Sequence, residues 1–293
     1  MRTGVWPGRH ALQAVLMYVV LQPTLLLLSV VDFARVFPAS GERSLPIQVV
    51  LLASKILRPG ARGAGETLGD VLVWESVLAL QGVLLTQAWF TLRMSAWHTM
   101  AQGHELRETK SQLHARRMPF HQQLEHMVFS STSLPILWMA ALGGIVLGGA
   151  PVHTGYLGTA VLAAYIALLA LWPVVHVLGA PPSQEWAQLL MAPWSASPRA
   201  VLAYVPALGT CAGAVLGSAA LALDWGRAWQ TWPLPSVYGA LAGLLVGNGV
   251  GLLLSMGKMY GSALFALPPP PPSNEAPSAP LTRKEKRRRA RQA

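Results

Sequence analysis

Cysteine is almost missing. The chain's 293 residues include one, Cys211 inside an apolar stretch, which excludes an intrachain disulfide and any CxxC metal site. Charged residues are scarce too, at 12%, too few to clothe a soluble globule of this length. The sequence also has no GxSxG elbow, no GxxxxGK[ST] phosphate loop, no HExxH pair and no glycosylation sequon, because Asn248 and Asn274 both lack the hydroxyl residue two positions on. Nothing here equips the chain as a self-sufficient enzyme.

Apolar runs take the place of charge. Apolar residues make up 53% of the chain, and six stretches, 11–31, 71–92, 127–149, 156–178, 200–222 and 234–256, reach about the 20 residues that cross a bilayer. The expected fold is all-α, a polytopic membrane protein of about six transmembrane helices. The first stretch is longer than a signal core and has no clear cleavage pattern after it, so it reads as a span. A seventh candidate, 45–57, begins at Pro46, carries Lys55 and suits an interfacial or re-entrant piece. Placing both termini in the cytosol puts 16 of the 22 Lys and Arg there, as the positive-inside rule requires. The net charge of +10 is therefore a mark of topology and not of nucleic-acid readout. The membrane domain is expected over 1–260. A disordered cytosolic tail follows over 261–293, with prolines 268–272 and then a basic run from Arg283 to Arg291. That run suits a topological anchor, a contact with anionic lipid or a retrieval signal.

Two patterns stand out on the expected lumenal side. The segment 224–233 is a polar and aromatic knot of Asp224, Trp225, Arg227, Trp229, Gln230, Trp232 and Pro233, the residue types that settle at a membrane–water interface. The tight turn 148–154, with Gly149, Ala150, Pro151 and His153, forces the third and fourth stretches into an antiparallel hairpin. Glycines recur every four residues on the last two stretches, as Gly209, Gly213 and Gly217 and then as Gly239, Gly243, Gly247 and Gly251. Each row clears one helix face for close approach by another backbone. Either the two rows pack together or one is kept for a partner's helix.

Other polar residues have structural and functional readings side by side. Asp224 and Arg227 could form an ion pair that shapes the knot, or Arg227 could meet a phosphorylated headgroup. His153 could touch a headgroup or cap the turn. His98, His104, His114, His121 and His126 share the segment 93–126, but their spacing fits no common metal template, so a solvated cytosolic loop with scattered histidines is expected. Glu75, Gln81 and Gln87 punctuate the second stretch, Glu75 within reach of the interface. Ser130, Ser131, Thr132, Ser133 and Pro135 suggest a kinked helix whose hydroxyls line a polar cavity or meet another helix.

The segment 213–247, GAVLGSAALALDWGRAWQTWPLPSVYGALAGLLVG, resembles the signature region of the Pig-F family. Members show a GAWLGA-like helix, PLDW, RPWQxWP and a glycine-spaced last span. The Gly149-Ala150-Pro151 turn and the helix after it, with Thr159 and Pro173, also resemble the family, and the likeness covers about residues 127–260. Ala222 and Ala228 stand where the family has proline. The resemblance implies a polytopic protein of the endoplasmic reticulum without catalytic residues, cofactor or metal. It implies a subunit that binds and stabilises the transferases adding ethanolamine phosphate to mannoses of GPI-anchor precursors. Those partners would hold the metal and the nucleophile. The glycine-lined face would dock a transferase helix, the knot would set the height of its lumenal domain, and membrane lipid, including a GPI precursor, is a further candidate ligand. Two rival readings are a transferase or lipid phosphatase working through Asp224, Arg227 and His153, and a lipid transporter or scramblase.

Overall fold

The computed structural model describes residues 6–31, 68–179, 181–223 and 226–264. Among them there is no strand, and the chain is an all-α polytopic membrane protein. Helix α1 starts at Gly8–Val15, passes through a π-helical turn at Leu16–Leu21 and continues over Gln22–Val31. Helix α2 is a single run of 38 residues, Leu68–Glu105. The short α3, Lys110–Ala115, opens on a capping box between Thr109 and Gln112. Helices α4, Phe120–Ser131, and α5, Leu134–Leu147, follow one another across a break at Thr132 and Ser133. Helix α6 comprises Tyr156–Ile166, a π-helical turn at Ala167–Leu171, and Trp172–Leu178. The interfacial α7, Gln184–Met191, precedes the hairpin of α8, Pro198–Ser218, and α9, Leu234–Leu264.

Five segments among the described residues are long and apolar enough to cross a membrane: Gly8–Ser29, Phe120–Leu147, Tyr156–Leu178, Pro198–Ala222 and Leu234–Gly261. The remaining expected stretch, 71–92, lies within α2. The Glu75 side chain, the candidate 45–57 and the basic tail fall outside the described residues.

One expectation needs correction, and one pair of alternatives is narrowed. The segment 93–126 is not one solvated loop, because α2 continues to Glu105 and buries His98. Polarity rises after Arg93, but no proline interrupts the helix, so the drop in hydrophobicity marks the edge of the apolar run and not the end of the helix. The hydroxyls of 130–133 had two readings, a polar cavity or an inter-helix contact, and the second holds at Ser130. Each bonds back to a carbonyl three residues earlier, at 2.6 to 2.9 Å, a local satisfaction common for Ser and Thr in apolar helices. Ser130 adds an inter-helix role, accepting from Trp172 Nε1 at 3.1 Å and pairing with His176 Nδ1 at 2.9 Å.

Lipid tails are as apolar as leucine, so burial alone does not hold membrane helices together and contact geometry must do it. Helix α6 is the central element, with Leu162, Tyr165, Leu169 and Trp172 buried against Val83, Val237 and Leu244. The Tyr165 hydroxyl donates to the Ser76 carbonyl of α2 at 2.9 Å. Helices α8 and α9 meet through their glycine rows, and a Cβ built at Gly213 would lie 2.9 Å from Gly243 Cα. Helices α1, α2 and α9 meet through amides: Asn248 donates to the Tyr18 carbonyl at 2.9 Å and to Gln22 Oε1 at 3.0 Å, and Gln22 donates to Gln87 at 3.0 Å.

On the cytosolic side of the expected topology, Arg199 is buried between Glu105 and Glu185. Its backbone N–H donates to Glu105 at 3.1 Å. Burial pushes the Glu105 carboxyl up to about 7, against the pull of Arg199.

Candidate functional site

The turn after α5 reverses the chain through Gly148, Gly149, Ala150 and Pro151. Gly149 has φ +95°, in the left-handed region that a side chain rarely tolerates, which is why glycine stands there. Thr159, one turn into α6, donates to the Pro151 carbonyl at 2.7 Å. That bond ties the turn to the helix it feeds.

The knot reaches the same threonine. Trp232 Nε1 donates to Thr159 Oγ1 at 3.1 Å, so one hydroxyl accepts from the knot while donating to the turn. The indole sits where side chains are missing: a Cβ at Gly155 would lie 3.1 Å from Trp232 Cδ1, and one at Gly158 would lie 2.8 Å from Pro233 Cδ. Pro233 joins Trp232 through a cis peptide bond. The structure thus brings together Pro151, Trp232 and Pro233, which the sequence held in two separate motifs.

Gln230 closes the rest of the knot. Its Nε2 donates to the carbonyls of Ala220 and Leu223, at 2.9 and 2.6 Å, and its Oε1 accepts the Arg227 N–H at 3.0 Å. One amide therefore joins the end of α8 to the return strand of the loop. Gly226, with φ +58°, supplies the reversal. Arg227 is exposed. Trp229 is 37% exposed, on a short 3-10 turn that lies against α2. Asp224 and Trp225 lie outside the described residues, so the expected Asp224–Arg227 pair does too. His153 is exposed in the turn and does not join the Thr159 relay.

Beside this platform, a cleft of about 710 Å³ opens between α5 and α8, walled by α6 and the start of α9. Its floor is made of small residues, among them Ala141, Gly144 and Ala214, and its rim carries Pro151, Trp232 and Ser236. The Ser236 hydroxyl is buried without a hydrogen-bond partner. The α5 wall is thin cover, since only 6% of the apolar window in Phe120–Leu147 is buried.

The glycine rows are not part of this opening. Gly209 faces Gly243 and Gly247, Gly213 faces Gly239 and Gly243, Gly217 faces Pro235 and Ser236, and Gly247 and Gly251 meet Pro206 and Val205. Each row fills the other's groove, so the expectation that the glycine face receives a partner helix is overturned by contact within the chain. The five histidines of 93–126 do not converge either. His98 is buried against Tyr18 at 3.3 Å, His104 stacks on His10, and the other three are exposed. Among the described residues no three His, Cys, Asp or Glu could hold a metal ion.

Sequence reasoning passed over Gly155, Gly158 and Ser236. The glycine pair just before Thr159 was the available signal for a seated ring.

Comparison with known proteins adds a family to this geometry. The profile of the GPI biosynthesis protein family Pig-F matches residues 66–252. The chain belongs to the Pig-F family. The match begins well before residue 127, where the likeness in the sequence was first placed, and takes in α2 and the histidine-bearing segment. Among curated relatives, glycosylphosphatidylinositol anchor biosynthesis protein 11 of Neurospora crassa is 36% identical over 135 residues, 45% of this chain and 46% of its own length. The protein of that name from Aspergillus fumigatus is 36% identical over 106 residues, 36% of this chain and 34% of its own. That of Yarrowia lipolytica is 33% identical over 118 residues, 40% of this chain and 50% of its own. This Pig-F chain therefore aligns with half or less of each of these relatives. No solved structure matches it.

Proposed function

We propose that this Pig-F protein is an accessory subunit of GPI-anchor biosynthesis in the endoplasmic reticulum membrane, where it binds and stabilises an ethanolamine phosphate transferase. Family membership and the names of its relatives support the pathway. The subunit role rests on one observation: Thr159 locks the Gly149-Ala150-Pro151 turn to Trp232 and Pro233, which makes a preorganised platform at one end of the bundle. Preorganised aromatic surfaces suit partner contact because little side-chain freedom is lost on binding. The partner meets the knot, through Trp229, Arg227 and the turn with His153, and not the closed glycine rows.

Affinity purification in mild detergent, with transferase abundance measured after the chain is removed, tests this reading. The expected result is co-purification and a fall in transferase level. Unchanged abundance without co-purification overturns it.

A second reading has its own observation. The unpartnered, buried Ser236 hydroxyl on the rim of an apolar cleft suits a membrane lipid, a GPI precursor included, whose chain occupies the cleft while a polar group meets Ser236. Ala141→Phe narrows the cleft from its floor. Loss of bound lipid with transferase retained would separate this role from the first.

A further inference from the structure

A second cavity, of about 300 Å³, lies at the other end of the bundle, between the start of α1, the C-terminal third of α2 and the entry to α4. Arg93 and Arg117 both line it. The two arginines come from different elements and are 24 residues apart in sequence, so the fold and not local sequence brings them together. Neither forms an ion pair among the described residues. Glu108 is engaged with Arg116 and Glu105 with Arg199, and Glu125 of α4 is exposed and is not part of the lining. Both are exposed, and two positive charges lining one concavity favour an anion there.

The rest of the wall is mixed, with His10, Gln13 and Gln123 beside an apolar side. Met17 and Met100 line it, and Trp97 is held in place by donating its Nε1 to the His10 carbonyl at 3.0 Å. Arg93 directly follows the expected membrane stretch 71–92, and α1 begins its own apolar run beside it, so the cavity has one lip at the height of lipid headgroups and the other in the hydrocarbon. A free phosphate would use the arginines and the other polar groups alone, whereas a lipid also covers Met17, Trp97 and Met100.

We propose that this cavity is a binding site for the phosphate headgroup of an anionic membrane lipid, with Arg93 and Arg117 as its anion-binding residues. The site is independent of the lumenal platform and of any transferase.

The test uses the full chain purified in detergent, supplied with phosphatidic acid, phosphatidylinositol or phosphatidylcholine, with protein-bound lipid quantified by mass spectrometry. The two anionic lipids are expected to be retained over phosphatidylcholine. The double variant Arg93→Gln/Arg117→Gln is expected to lower their retention about tenfold or more, the scale of losing charge-assisted hydrogen bonds. Met100→Trp, which fills the cavity and leaves both charges in place, is expected to lower it as well, so the result does not depend on one variant folding. Inorganic phosphate in excess should not displace the lipid. Undiminished retention in both variants overturns the site, and displacement by inorganic phosphate overturns the lipid as its ligand.

Discussion

Two interfaces in this protein solve the same problem by opposite means. Between α8 and α9 the contact is made by removing side chains, so that Gly209, Gly213 and Gly217 lie against Gly243, Gly239 and Pro235. Among α1, α2 and α9 it is made by adding polar ones, with Asn248, Gln22 and Gln87 linked at 3.0 Å. Backbone approach of the first kind gains dispersion and weak Cα–H···O contacts along its whole length, and any added atom disrupts it. Hydrogen bonding of the second kind is concentrated in a few atoms and tolerates change around them. Helix α9 takes part in both, with glycines on one face and Asn248 on another.

The sharpest way to break that contrast is to place a side chain in the glycine seam. Gly213→Leu or Gly243→Leu is expected to cost about 3 kcal/mol or more, because the atom it strikes is backbone and cannot rotate away. Thermal unfolding in detergent, followed by size exclusion, measures it, and a variant as stable as the parent would contradict the packing. Asn248→Leu attacks the other interface and is expected to cost about 1 to 2 kcal/mol, the range for losing membrane-embedded hydrogen bonds. A loss as large as that of the glycine variants would erase the distinction between the two modes.

A smaller effect is expected at the platform. Trp232→Phe and Thr159→Val each remove the bond between knot and turn, and a double-mutant cycle should return a coupling of about 1 kcal/mol. Additive losses would mean that the two motifs are not joined through that hydroxyl. The smallest effect has a definite sign. Glu105 titrates near 7 in the folded protein, above the usual carboxylate range, so its protonated form is favoured by folding. Its contribution is fully present below the ordinary carboxylate pKa and fades as the pH rises through about 7. Melting temperature should therefore fall between pH 5 and pH 8, by less in Glu105→Gln than in the parent.

The hairpin was legible because periodicity within one helix is a local signal: glycines four apart announce a cleared face, and two such helices joined by a short loop suit one another. The sequence left open whether that face was shared internally, since spacing carries no information about what occupies a groove. The join between Trp232 and Thr159 was hidden for a related reason. The two residues are 73 positions apart, and each has an adequate local explanation. Gln87 drew notice as a polar residue in an apolar stretch, but Asn248 did so only as a failed sequon, although its amide is what Gln22 bonds to. His98 was misplaced because hydropathy reports where an apolar run stops, while helix α2 continues.

At 38 residues, α2 is about 57 Å long, nearly twice the thickness of a bilayer's hydrocarbon layer of about 30 Å. It packs against the 3-10 turn of the knot that carries Trp229, and its last residue, Glu105, is clasped by Arg199. With no proline to hinge it, the helix is one stiff rod. A rod of that length links its contact with the Trp229 turn of the knot to the Glu105–Arg199 ion pair at its C-terminal end.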